Sequence, residues 1–141
     1  VENLVTDGST TAIDLGGLVN FHRHQAGARL VAWDERLYRV AAAGAAGWVR
    51  SDACWAGAPE ACARVEDLTA RAQAQAYAHQ NLLESVFITV DLPLDVARAV
   101  EAWMGSRAHK GVLEHPDVRD LGVAVVRGGN AMAYVLVLGN E

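Results

Sequence analysis

Apolar and polar positions alternate along Glu84-Ser-Val-Phe-Ile-Thr-Val90, which predicts a strand over Leu82–Val90 that ends in a proline-bearing break. Two further runs, Asp120–Arg127 and Ala131–Leu138, read as strands joined at Arg127-Gly128-Gly129-Asn130. The glycine pair there supplies the positive φ that a tight hairpin demands. Within the last run, Tyr134, Leu136 and Leu138 alternate with Val135 and Val137, so both faces are apolar. Such a strand belongs in the middle of a sheet that is covered on both sides. Helices on two sides of one sheet make a three-layer α-β-α sandwich, expected here with a mostly antiparallel central sheet.

Four longer segments carry helical spacing instead. Thr11 to about His24 sets Ile13, Leu15, Leu18, Val19 and Phe21 on one side. Asp34 to about Arg50 is rich in alanine and glycine, with Leu37, Val40 and Trp48 as anchors. Gly44 and Gly47 each cost about 1 kcal/mol of helix propensity relative to alanine, which points to close packing or a bend. Ala63 to about His79 aligns Val65, Leu68, Ala72 and Ala76. Leu94–Gly105 presents Val96, Ala99, Val100 and Trp103, with Pro93 expected at its first position and Asp95 early in it, near the positive end of the helix dipole. Ser106 is placed to cap a short helical segment that carries His109. Residues 1–10 are polar and turn-rich, a loose lead-in to a single domain spanning 11–141.

Length fits that reading: 141 residues can bury a sizeable core without metal or disulfide help. The apolar fraction of 52% is high for a soluble domain, but much of it is alanine. No run approaches the roughly 18 apolar residues that a membrane helix needs. A net charge of −5, from 12 basic and 17 acidic residues, argues against a nucleic-acid partner, which usually meets a clustered basic face. The chain starts at Val1 without an initiator Met, as a trimmed piece or a mature form after signal removal would. Cys54 and Cys62 flank Trp-Ala-Gly-Ala-Pro-Glu-Ala. A loop-closing disulfide there would imply an oxidising compartment; two reduced, buried thiols are the other reading.

The run Trp103-Met104-Gly105-Ser106-Arg107-Ala108-His109-Lys110, with Val112-Leu113 and then Leu121-Gly122-Val123-Ala124-Val125, resembles the bacterial branch of the CAP superfamily. That superfamily holds the cysteine-rich secretory proteins, antigen 5 and the plant pathogenesis-related proteins. Its pattern there is roughly W-M-x-S-x-x-H-R-x-x-I-L, a loop, then G-V-G-x-A. Upstream, a G-E-N-I-A motif precedes a helix-opening proline, and Glu84 stands nine residues before Pro93. Asn20, Arg23, Gly27, Trp33-Asp34, Leu37 and Ala41 match the family's first two helices, so the resemblance runs from about Leu15 to Leu138. It implies the same α-β-α sandwich and a secreted or cell-envelope location.

Animal and plant members carry two His and two Glu in a cleft that can hold a divalent metal, usually zinc. By this resemblance Glu84 takes the place of the G-E-N carboxylate and His109 that of the second histidine. Ser106 stands where the second glutamate would be, and no histidine stands near Trp55 or Ala56. Leu83 and Ser85 replace the motif's glycine and asparagine. Half a tetrad is too few ligands for a zinc site, which uses three or four from the protein, so no resident cofactor is expected. His79, five residues before Glu84, is a weak third ligand beside Glu84 and His109. Two readings of Glu84 and His109 remain: a polar pair facing a cleft, or side chains that merely hold a helix to the sheet.

Asn20 and Arg23 read as architectural, an amide and a guanidinium tying the first helix to nearby loops. His22 and His24 are expected at the surface and His115 in a loop. Trp33, Trp48 and Trp103 are expected in the core, with Trp55 exposed. The function that follows is a binding module, its cleft lined by Glu84, His109 and Ser106 and its ligand a lipid, a small apolar molecule, or a wall or protein partner. A metal-dependent or serine-type hydrolase at the same cleft is the alternative, since Ser106, His109 and Glu84 contain a Ser/His/acid set. Neither G-x-S-x-G nor H-E-x-x-H is present. A structural domain with a relic site is the third.

Overall fold

The computed structural model describes residues 4–6, 9–50 and 66–141. The elements in chain order are β1 (Leu4–Thr6), α1 (Ser9–Gln25), β2 (Ala32–Trp33), α2 (Glu35–Arg50), α3 (Leu68–Ala74), β3 (Asn81–Val90), α4 (Val96–Met104), α5 (Arg107–Leu113), β4 (Asp120–Gly128) and β5 (Ala131–Asn140). One sheet runs β1-β4-β5-β3, with β2 paired to β4 off that path. Three pairings are antiparallel and the short β2–β4 pairing is parallel, so the sheet is mixed. The sandwich itself is as the strand pattern predicts. β1 falls within the stretch read as a loose lead-in. Cys54, Cys62 and Trp55, and with them the disulfide, lie outside the described residues.

Alternation along β4 and β5 divides the interior in two. Leu121, Val123, Val125, Met132, Tyr134, Leu136 and Leu138 face α1, α4 and α5. Ala124, Val126, Ala133, Val135 and Val137 face α2 and α3. Residues 131–139 are all buried, which is why both faces of that strand had to be apolar.

Helix ends show where local chemistry won over periodicity. Asp34 caps α2, its Oδ1 accepting from the Arg36 and Leu37 amides at 2.8 and 3.3 Å. Asp95 caps α4, accepting from the Arg98 amide at 3.3 Å, while its own N–H donates to the Tyr134 hydroxyl. α4 therefore begins at Val96, and Pro93 lies before the helix rather than at its first position. Ser106 holds the cap position of α5, but its side chain makes no capping bond.

α3 is shorter than the expected 63–79. Ala76 adopts φ 55°, and the Tyr77 and Ala76 amides donate to the Ala72 and Gln73 carbonyls at 3.0 Å each. This is a Schellman close with alanine at the left-handed position, where glycine is usual. Its stop swings Tyr77 into the α2 core, where the hydroxyl donates to Asp120 at 2.7 Å. The β4–β5 turn is Gly129-Asn130, and of the two glycines only Gly129 has positive φ, at 61°.

The architectural readings of Asn20 and Arg23 hold. Asn20 donates to the Val31 carbonyl at 3.0 Å and accepts from the Val31 amide at 2.9 Å. Arg23, fully buried, donates Nε to the Arg29 carbonyl and Nη1 to the carbonyls of Leu113 and His115. Burial and then the nearby Arg29 charge lower its pKa. Trp103 is core, Trp48 is partly buried against the other core beneath α2, but Trp33 is exposed at 38%. Ile13 and Phe21 are also exposed, since Ala12, Leu15 and Val19 form the buried stripe of α1.

Candidate functional site

Glu84 lies on β3 between Leu82 and Val86, whose side chains pack toward α2 and α3. Its Oε2 sits 2.8 Å from Arg71 Nη2 on α3, off the line of a hydrogen bond. Arg71 is buried, with Nε donating to the Glu66 carbonyl at 2.8 Å and Nη1 to the Val40 carbonyl at 2.9 Å. Gly44 of α2 passes directly above, and a Cβ on it would overlap the Arg71 guanidinium and come 3.3 Å from Glu84 Oε2. Glu84 is thus the counter-ion of a buried arginine that bolts α3 and α2 to the sheet edge.

His109 is half-buried on α5. That helix packs by Leu113 and Val112 into the other core, among Trp103, Val118 and Leu121. The sheet stands between the two layers, so the structure does not bring Glu84 and His109 into one hollow. Period-two alternation is the physical reason: Leu83, Ser85 and Phe87 face α4 and α5, and Glu84 faces the other way. Ser106 and His109 share α5 without Glu84, so the Ser/His/acid set is not assembled. His79 is half-buried in the connection from α3 to β3. Among the described residues no group of three or more His, Cys, Asp or Glu could hold a metal ion. The donors Glu84, His109 and His79 therefore do not fit a zinc ion.

A different surface is open. Ile13, Trp33, Glu35 and Tyr38 line a hollow of about 660 Å³. Trp33 comes from β2, which pairs with β4 through Leu121; Glu35 and Tyr38 come from the first turn of α2. The Trp33 and Tyr38 rings lie 5.6 Å apart at 34°, and Trp33 Nε1 donates to Glu35 Oε2 at 3.1 Å. Ile13 is 59% exposed. The sequence carried one signal for this surface: Ile13 stands off the stripe Ala12, Leu15, Val19, so the helix cannot bury it with them. Trp33 gave none, because an isolated tryptophan is usually core.

Beside the hollow, Arg36 bridges Asp34 at 2.8 Å and Glu141 at 2.7 Å and lies over the Tyr77 ring at 4.8 Å. Burial raises the Asp34 carboxyl, but hydrogen bonds from the Arg36 side chain and from the Arg36 and Leu37 amides, with the Arg36 charge, outweigh it. The net pKa lies below the ordinary 3.8. A depressed carboxylate stabilises the fold above its unfolded pKa and loses that contribution as pH falls through the folded value. Stability of the natural chain should therefore drop below pH 3.8 more steeply than that of Asp34→Asn, which keeps the cap. Parallel urea titrations between neutral pH and pH 2 would show it; identical slopes would refute it.

No curated protein matches the chain. Among solved structures, an outer surface protein from Borrelia burgdorferi is similar over 100% of this chain and 99% of its own, at 16% identity and a TM-score of 0.74. A cysteine-rich secretory protein from Staphylococcus aureus is similar over 96% of this chain and 40% of its own, at 17% identity and a TM-score of 0.70. An extracellular protein containing an SCP domain from Bacillus anthracis gives 94% and 41%, at 20% identity and a TM-score of 0.66. These likenesses concern the fold, and its neighbours are outer-surface and extracellular proteins. No helix among the described residues is long and apolar enough to cross a membrane. The family model that matches is CAP, the cysteine-rich secretory protein family, over residues 17–139, and with that span covered the chain belongs to this family.

Proposed function

We propose that this CAP domain is a secreted or cell-envelope binding module that takes a small apolar molecule at the hollow of Ile13, Trp33 and Tyr38. The observation that carries the reading is an aromatic pair and an isoleucine left open around a space of about 660 Å³. That volume falls within the range of small-molecule pockets, and such sites are mostly apolar with a few polar groups that fix orientation. Glu35, holding the indole N–H of Trp33, is the polar group that sets the ring's angle. Location outside the cell rests on the outer-surface and extracellular neighbours.

Glu84 and His109 drop out of the binding role, because the first is spent on Arg71 and the second lies on the other layer. Calorimetric titration with laurate and with decanol separates the two placements. Trp33→Ala and Tyr38→Ala should each weaken binding about tenfold or more, from the loss of a large aromatic contact. His109→Ala and Ser106→Ala should leave it unchanged. Binding that ignores the aromatic variants, or fails with both ligands, would sink the proposal.

A further inference from the structure

A second hollow, of about 320 Å³, has different chemistry. Arg29, Gln80, Asn81, Asp117, Arg119 and Asn140 line it, with Pro116. Arg29 and Arg119 are exposed, and neither guanidinium has an ion pair or hydrogen bond with any described residue.

Their backbones, by contrast, are fixed. The Arg29 carbonyl accepts from Arg23 Nε at 2.6 Å. The Arg119 amide donates to the Gly139 carbonyl and its own carbonyl accepts from the Ala32 amide, each at 2.9 Å. Asn140 Oδ1 is occupied by the Asn81 amide at 2.9 Å, so the Asn140 side chain has N–H donors left to offer. Behind Arg29 stands Arg23, fully buried, with Nη2 unpartnered. Burial, and after it the neighbouring Arg29 charge, lowers the Arg23 pKa. Two guanidiniums thus share the hollow in a chain of net charge −5, with a third buried next to Arg29, and Asp117 is the one carboxylate in the lining.

We infer that this hollow binds a small doubly charged oxyanion, a free phosphate or the phosphate of a monoester, between Arg29 and Arg119 with the amides completing the shell. Guanidinium forks match tetrahedral oxyanions in geometry as well as charge, and fixed backbones reduce the ordering that binding requires. The site is separate from the apolar hollow, so either reading stands or falls without the other.

The test is calorimetric titration of the whole chain with inorganic phosphate and with glycerol phosphate, at constant ionic strength set by chloride. Phosphate should bind with a dissociation constant of about 1 mM or tighter. Arg29→Gln and Arg119→Gln should each weaken binding about tenfold, which corresponds to about 1.4 kcal/mol. Asp117→Asn should tighten it. All three side chains are at the surface, so the variants keep the fold, and a matching thermal melt verifies that. Equal binding of both ligands places recognition on the phosphate alone; tighter glycerol phosphate binding adds a contact from the neighbouring amides. Lack of binding by the natural chain, or binding untouched by Arg119→Gln, would overturn the inference.

Discussion

Gly122→Ala should destabilise the domain by at least about 3 kcal/mol, at the top of the range for overpacking. A Cβ at this position on β4 would overlap the Leu37 carbonyl carbon and the Tyr38 amide nitrogen of α2. Both are backbone atoms, so no rotamer change relieves the contact. The helix would have to lift from the sheet, and Leu37, Val40 and Ala41 would lose their packing against Ala124 and Val135. Domains of this size hold only about 5–15 kcal/mol in total, so loss of the fold at physiological temperature is within reach. Gly16→Ala is the control: its Cβ would meet only the movable end of the Leu121 side chain, at 3.1 Å. Urea midpoints that move equally for both variants would show that the helix–sheet approach is looser than described.

Removing one half of the buried ion pair should have an effect of similar size. Arg71→Ala leaves Glu84, 17% exposed, without its counter-ion and removes the side-chain donor from the Val40 carbonyl. Breaking such a pair costs about 3–5 kcal/mol, because the remaining charge stays uncompensated. The double change Arg71→Met with Glu84→Leu should recover most of that loss, since apolar replacements of buried pairs are often neutral. Stability measured by denaturant on the two variants decides it. A single variant costing under about 1 kcal/mol would mean that water reaches the carboxylate freely, as at a surface pair.

Much of this architecture is legible in the residues. The apolar run of β5 required cover on both sides, and the spacing of Ala99, Val100 and Trp103 gave α4 its buried stripe. The roles of Asn20 and Arg23 could be read because an amide and a guanidinium beside the apolar stripe of a helix need partners, and loop backbone groups are near. Gly122 was legible as part of a motif, and the structure supplies its reason. The end of α3 was not legible, because a left-handed alanine leaves no mark in the sequence, whereas a glycine would have.

The site was read less well, and the cause is a matter of parity. Placing Glu84 by its interval from a proline fixes how far along β3 it lies, but not which way it points. One residue of offset on a strand exchanges the two sides of the sheet. A buried arginine in α3 was the missing clue. Arg71 sits beside Ala72 in the stripe that faces the core, and a guanidinium there must find an acid; on the adjoining strand Glu84 is the one available.

One consequence of the strand order concerns how the molecule comes together. The strand that both interiors share, β5, is the last one in the chain, flanked by β4 and β3. The apolar run 131–139 is therefore the keystone of both layers. Without residues 131–140, α1 and α2 have only a partial surface to settle on, and β3 has no neighbour to pair with. A break in that one strand would undo both layers together rather than fray a single edge.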